Sequence, residues 1–68
     1  MKKVANLTIG HNKTEVTSSD DFTHKIEVVT TTVDDGVIFQ ESYPETVNGM
    51  KEAMAEFKKQ TEVIFSLS

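Results

Sequence analysis

The chain opens with alternating apolar and polar residues, a pattern typical of β-strands. Residues 2–9 carry an apolar side chain at every second position from Ala5 onward, which predicts a half-buried strand. Residues 10–13 have the composition of a turn. Residues 14–17 either return as a short strand or stay part of a loop, and the sequence leaves that choice open.

The strongest strand signal covers residues 22–33. Seven of its last eight residues are β-branched, and such side chains favour extended backbone because their χ1 rotation is restricted. The Asp-Gly pair at 35–36 predicts a two-residue hairpin turn, since glycine supplies the positive φ that such turns need. Residues 37–43 then return as the next strand, with Val33 paired to Ile38.

The turn length decides which side chains share a face of this hairpin. A three-residue turn shifts the register by one position and mixes the faces, so the two-residue turn is preferred. One face then carries Phe22, Ile26, Val28, Val37, Phe39 and Tyr43. The other face carries Val29, Val33 and Ile38 among polar residues. We expect the first face to be buried.

A helical pattern follows from residue 42 onward. Ser42 and Glu45 form a capping-box pattern around Pro44, and proline is tolerated in the first helical turn. Apolar residues then recur at helical spacing: Val47, Met50, Met54 and Phe57. This stripe is interpreted as the core face of the helix. The alternative is an exposed stripe that binds a partner, because methionine adapts to varied surfaces.

Together these elements predict one α+β domain spanning residues 1–68. A small antiparallel β-sheet of about 4–5 strands carries a single α-helix packed across one face, in the order β(β)ββαβ. Residues 61–68 alternate again and predict the final strand, whose pairing partner stays open. One helix covers only one face, so the other exposes apolar residues that are a candidate self- or partner interface. These residues are Val29, Val33, Ile38 and Ile64.

Composition excludes several functions. There are no cysteines, so disulfides and thiolate metal sites are absent. All seven basic residues are lysine, and without arginine we expect no direct nucleic-acid binding. The longest apolar runs have three residues, too few for a membrane span or a signal peptide. We therefore expect a cytoplasmic protein that contacts no membrane.

The net charge of −4 comes from the middle of the chain. Residues 14–46 contain eight acidic residues and one lysine. Such a surface could imitate the phosphates of a nucleic acid and block a partner's binding site. The favoured interpretation is a solvated surface that resists aggregation. The candidate acidic-surface residues are Asp20, Asp21, Asp34, Asp35 and Glu41.

No residue pattern predicts catalysis, a metal or a cofactor. His11 and His24, taken with Asp20 and Asp21, match no standard metal-site spacing, so surface histidines are the favoured interpretation. The paired aspartates lie in turns, where they hydrogen-bond their own backbone. Neither a nucleophile elbow nor a glycine-rich phosphate loop is present. We expect no enzymatic activity.

Size and composition are typical of the small accessory proteins of bacteria, phages and mobile elements. The sequence predicts a small non-enzymatic binding protein that forms homo-oligomers and occupies a partner protein's surface, as an inhibitor or adaptor. Two alternatives stay open. One is a sponge for a small ligand or nucleotide, with a pocket between subunits, and the other is a structural or assembly component.

Overall fold

The computed structural model describes residues 2–19 and 24–67, with only the backbone of Lys2. Four strands precede one helix: β1 (Lys2–Ile9), β2 (Asn12–Ser18), β3 (Lys25–Thr32), β4 (Gly36–Pro44) and α1 (Val47–Leu67). The strands form an antiparallel sheet in the order β1-β2-β3-β4. The predicted α+β class is confirmed, and residues 14–17 belong to a strand. Phe22, predicted on the buried face, lies outside the described residues.

The predicted two-residue turn between β3 and β4 is wrong. Thr32 pairs with Gly36 across a three-residue turn, and Gly36 takes a φ of 73°. Val33 therefore lies in the turn and does not pair with Ile38. The hydroxyl of Thr32 accepts a hydrogen bond of 3.1 Å from the backbone N–H of Asp35. This bond satisfies a donor inside the turn and favours the longer geometry.

A β-bulge in β4 changes the register again beyond this turn. Thr31 pairs with Val37 but Thr30 pairs with Phe39, so Ile38 is the extra residue. Phe39 thus pairs with Thr30 instead of the predicted Thr32, a shift of two positions. Because side chains alternate, this even shift keeps Phe39 on the predicted face. Val37 lies before the bulge, on the opposite face, and its predicted burial is wrong because it is 57% exposed.

The start of α1 also differs from the prediction. The hydroxyl oxygen of Thr46 accepts a hydrogen bond of 3.0 Å from the backbone N–H of Gly49, which is the bond of an N-cap residue. Ser42 cannot cap the helix because β4 continues through Pro44. A Cβ at position 49 would overlap the carbonyl oxygen of Pro44. This close approach explains a glycine within the first turns of a helix.

The predicted final strand over residues 61–68 is wrong, because α1 continues to Leu67. No proline or glycine interrupts this half of the helix. Its buried residues keep helical spacing from Ala53 through Gln60 to Ile64. The apolar residues that alternate around Ile64 are exposed, so their alternation does not reflect a strand.

The core lies between α1 and one face of the sheet. The helix packs over β2, β3 and β4 and touches β1 least. The fully buried cluster consists of Val16, Ile26, Val28 and Ala53. Half-buried apolar residues surround it: Ala5, Phe39, Tyr43, Met50 and Phe57. Each fully buried valine or isoleucine stabilises the fold by roughly 1.5–3 kcal/mol.

Candidate functional site

Most of the sheet face opposite α1 is polar. Glu15 lies on this face, and its carboxylate forms ion pairs with Lys3 at 3.2 Å and with Lys13 at 3.3 Å. The hydrogen bond from Lys3 is the main cause that lowers the pKa of Glu15; Lys13 adds to it and partial burial opposes it. Ion pairs of this kind contribute about 0–1 kcal/mol each. Much of this face is therefore suited to contact with water.

Exposed apolar side chains cluster in sequence at the β3–β4 hairpin. Val33 is 65% exposed and Ile38 is 40% exposed. Together with the exposed Val37, we call these residues of the hairpin the hairpin patch. Val29 lies on the same face as Val37 and is half-buried between polar residues of the neighbouring strands. Three of the four predicted interface residues therefore lie at or beside one hairpin, and their role stays a prediction.

Ile64, the fourth predicted interface residue, lies elsewhere. Its side chain is 0% exposed and faces inward from α1. The predicted position beside Val29 was based on a final strand that does not form. In this structure Ile64 contributes to packing beneath the helix.

The acidic candidates do not form one cluster in the described part of the chain. Asp34 and Asp35 are exposed in the β3–β4 turn, whereas Glu41 is exposed within β4, across from the buried Val28. Asp20 and Asp21 lie outside the described residues. Imitation of nucleic-acid charge by this surface stays a prediction.

The predicted Glu41 instead belongs, with Glu52 and Glu56, to an acidic group near Tyr43 on the helix-facing side of β4, and sequence reasoning missed the two residues of α1. Burial is the main cause that raises the pKa of Tyr43, and the carboxylates of Glu56, Glu41 and Glu52 raise it further. Glu52 and Glu56 are one helical turn apart and so share a side of α1. That side of the helix faces β4. Only the strand register and the helix packing bring these residues together.

The core also contains a hydrogen-bonded polar network. Thr14 and Thr30 are 0% exposed and Gln60 is 8% exposed. The two threonine Oγ1 atoms are 3.0 Å apart, and Thr30 Oγ1 lies 2.9 Å from Oε1 of Gln60. Nε2 of Gln60 donates to the Glu56 carboxylate at 3.0 Å. Each hydroxyl carries one proton, so Thr30 donates to Gln60 and accepts from Thr14.

Sequence reasoning missed this network as well. The sequence analysis treated the threonines of β3 only as β-branched strand residues and assigned no role to Gln60. No buried side-chain nitrogen or oxygen atom among the described residues lacks a hydrogen-bond partner. The network is therefore complete, which is the condition under which buried polar groups are tolerated.

The two histidines are far from each other in the fold. His11 lies in the β1–β2 turn and His24 precedes β3, at opposite ends of the sheet. Within residues 2–19 and 24–67, no group of three His, Asp or Glu residues could hold a metal ion. Over the same ranges, no helix has the length and apolar character needed to cross a membrane.

A cavity of about 260 Å³ lies at the end of the sheet where both hairpin turns meet the end of α1. Asn12 ties the two turns together, since its Oδ1 accepts a hydrogen bond of 3.2 Å from the backbone N–H of Val33. The lining includes His11, Asp34, Asp35 and Leu67. The hairpin patch adjoins this cavity through Val33.

Comparisons of the chain with family models, with curated proteins and with solved structures find no match. The surfaces described above therefore carry the functional argument. Of these surfaces, the hairpin patch is the apolar and exposed one.

Proposed function

We propose that this chain is a small non-enzymatic binding protein that forms homo-oligomers and acts by occupying the surface of a partner protein, as an inhibitor or an adaptor. The hairpin patch is the observation that supports this function. It consists of three exposed, branched apolar residues within one hairpin, one in the turn and two at the start of β4. Apolar residues framed by polar ones are typical of protein interfaces.

The geometry of the hairpin explains why these side chains are exposed. Val33 lies in the three-residue turn and Ile38 is the bulged residue of an edge strand. Bulges redirect side chains and interrupt pairing at sheet edges. The hairpin therefore presents apolar side chains while the bulge discourages indiscriminate pairing along β4.

A double substitution tests this proposal. Val33→Asp with Ile38→Asp places charge in the patch at positions that are already exposed, so the fold should persist by circular dichroism. We expect loss of the homo-oligomer in native mass spectrometry and loss of the partner in crosslinked complexes purified from cells. The matched control is Val63→Asp, which is 40% exposed like Ile38 but lies on α1. Unchanged complexes in the double variant would contradict the proposal.

The alternative of a ligand sponge has one observation in its favour. The cavity at the turn end is partly open to solvent, and Val33 of the hairpin patch belongs to its lining. A second copy docked on the patch could close it, as a pocket between subunits requires. Native mass spectrometry separates the two functions, because a sponge purified from cells carries an added small-molecule mass that disappears with the oligomer.

A further inference from the structure

The two edges of the sheet differ in how far they are protected against pairing with further strands. β4 forms one edge, and it is interrupted by the bulge at Ile38 and ends at Pro44. β1 forms the other edge, and its own bulge, at Val4, and its lysines lie at its first end. Residues 5–9 pair regularly with β2 and contain no charged residue, proline or glycine. This stretch therefore lacks the features that keep edge strands from pairing.

The backbone groups that point outward from this stretch are those of Asn6 and Thr8. Ile9 pairs with Asn12 across a two-residue turn, and residues that flank such a turn exchange both backbone hydrogen bonds. Because this pattern alternates along an antiparallel ladder, Leu7 also bonds to β2, whereas Asn6 and Thr8 direct their N–H and C=O groups away from it. Among the residues that the structure describes, no strand pairs with that side of β1.

The side chains of the same stretch are complementary to a second copy of it. Ala5, Leu7 and Ile9 lie on the helix-facing side of β1, where each is only half-buried. Asn6 and Thr8 lie on the other side and are exposed. An antiparallel copy centred on Leu7 sets Leu7 opposite Leu7 and Ala5 opposite Ile9, all on the helix-facing side. Asn6 then meets Thr8 on the polar side, and their outward backbone groups come into register.

Charge and the position of α1 favour this arrangement. A parallel pair would set Lys3 beside Lys3, and like charges on neighbouring strands are destabilising. The antiparallel pair separates the two Lys3 residues by about eight residues of strand, or roughly 27 Å. Because α1 packs over β2, β3 and β4 and touches β1 least, the two helices lie about five strand spacings, or roughly 24 Å, apart. This is more than twice the width of a helix, so neither helix obstructs the second copy.

We propose that β1 pairs antiparallel with β1 of a second copy, centred on Leu7, so that two four-stranded sheets join into one. An uncharged segment of this kind at an open edge is a site of aggregation, and a two-fold symmetric contact closes it. The contact is small beside the roughly 1,200–2,000 Å² of a stable interface, so it is weak by itself. It goes beyond the proposed function, whose homo-oligomer depends on the hairpin patch, by adding a second contact between copies.

Single cysteines test this pairing, because the natural chain has none. Leu7→Cys places two thiols across the two-fold axis, at positions whose Cα atoms lie about 4.5 Å apart, within the range of a disulfide. Ala5→Cys is the matched control, since its two copies lie roughly 14 Å apart along the paired strands. With oxidised glutathione as the oxidant, Leu7→Cys should form a covalent dimer roughly tenfold faster than Ala5→Cys on non-reducing electrophoresis.

A proline tests the backbone hydrogen bonds. Thr8→Pro removes an outward N–H that β2 does not use, so the fold should persist by circular dichroism. Thr8→Val is the matched control, because it keeps the N–H and a β-branched side chain at the same position. In the Leu7→Cys background, Thr8→Pro should slow crosslinking roughly tenfold, whereas Thr8→Val should leave it unchanged or faster.

The outcomes also separate this inference from the proposed function. Equal crosslinking at positions 5 and 7, or none from Leu7→Cys even at the concentrations used for NMR, would overturn the pairing. Loss of a cellular partner on Thr8→Pro without any Leu7→Cys crosslink would assign the edge to a strand of that partner and overturn the second copy. The crosslink should persist in Val33→Asp with Ile38→Asp, because the hairpin patch belongs to β4 and its turn. A persistent crosslink in a double variant that keeps every complex would support β1 pairing and contradict the proposed function.

Discussion

The two halves of the contact between α1 and the sheet are built from different chemistry. Under the first half of α1, the sheet offers Val16, Ile26 and Val28 against Ala53. Under the second half, hydrogen-bonded polar side chains lie where apolar packing would be expected, centred on Thr30 and Gln60. Apolar contact is non-directional and scales with area, whereas a buried hydrogen bond requires one alignment. The apolar contacts therefore supply most of the stability, and the hydrogen bonds in the second half fix where the helix sits.

This division suits a helix with a small buried face. The first half of that face contains glycine and alanine, which can slide along a sheet with little loss of contact. A shift of α1 by one turn would remove Gln60 from Thr30 and leave buried polar atoms unpaired. An unpaired buried polar group costs about 1–3 kcal/mol. The polar half thus opposes the misalignments that the apolar half tolerates.

The largest expected loss of stability follows from shortening a buried side chain in the apolar half of the contact. Ile26→Ala removes a fully buried side chain and should destabilise the fold by about 2–5 kcal/mol. A core of this size supplies only about 3–5 kcal/mol in total. We therefore expect the variant to be largely unfolded by circular dichroism at room temperature.

Ile64→Ala tests the contribution of apolar packing near the other end of the helix. Ile64 is equally buried, so Ile64→Ala should reduce the stability of the fold by an amount of the same order as Ile26→Ala does. The predicted final strand would instead have left Ile64 on an exposed face, where truncation has little effect. A loss below about 1 kcal/mol in chemical denaturation would therefore contradict the inward position of Ile64.

Local patterns predicted the elements better than their partners. Alternation identified β1, and β-branched residues identified β3, because both signals depend only on neighbouring residues. The register of β3 against β4 depends on a three-residue turn and a bulge at Ile38 acting together. The shift of two positions preserved the faces of Phe39 and Tyr43 but changed every partner. The sheet face on which these side chains lie could therefore be predicted, although their cross-strand partners could not.

The end of the chain shows a second limit. Residues 61–67 satisfy both the period of a strand and the spacing of a helix, so their sequence alone does not decide between them. Packing decides, because a continued helix buries Ile64 and places Gln60 against Thr30. The hairpin patch could be predicted in part, since Val33 and Ile38 lie near a recognisable turn. The acidic surroundings of Tyr43 could not, because they depend on the rotation of α1 about its own axis.

The next largest loss of stability is expected when hydrogen bonds of the polar half are removed. Thr30→Val leaves Oε1 of Gln60 without its donor and Thr14 without its acceptor, and should cost about 1–3 kcal/mol in chemical denaturation. Replacing the whole network, with Thr14→Val, Thr30→Val and Gln60→Leu, should restore stability to near or above the natural level.

The same triple variant tests whether the hydrogen-bonded network fixes the position of α1 on the sheet. If the network fixes the position of α1, the triple variant should be stable yet show broadened NMR signals along the helix. A single well-dispersed spectrum equal to that of the natural protein would contradict this role. A neutral Thr30→Val would contradict the network itself.

A smaller effect is expected where α1 begins. Gly49→Ala introduces a Cβ that overlaps the carbonyl oxygen of Pro44, and overpacking of this kind costs about 1–3 kcal/mol. Alanine's better helix propensity returns about 1 kcal/mol of that. We expect a net loss of stability, whereas Asn48→Ala, at the exposed neighbouring position, should be neutral or stabilising. Equal melting temperatures for both variants would mean that α1 can move away from β4 freely.

The smallest expected effect is in the titration of Tyr43, the only tyrosine of the chain. Burial and nearby carboxylates raise the pKa of its hydroxyl, so the folded protein keeps this proton at a pH where the unfolded chain has lost it. The stabilisation is present below the unfolded pKa of about 10 and is lost as pH rises through the folded pKa. Ultraviolet absorbance should show the phenolate forming above its ordinary pH range.

Substitution on α1 connects this titration to the rotation of the helix. Glu52→Gln should lower the pKa of Tyr43 slightly, since one repelling charge is removed while burial, the main cause, remains. Glu56 is left unchanged because it also accepts the hydrogen bond of Gln60. Glu62→Gln removes the same charge from the outer side of α1, away from β4, and should leave the titration unchanged. If Glu62→Gln moved the pKa of Tyr43 as much as Glu52→Gln, α1 would be rotated differently about its own axis, and Glu52 would not face β4.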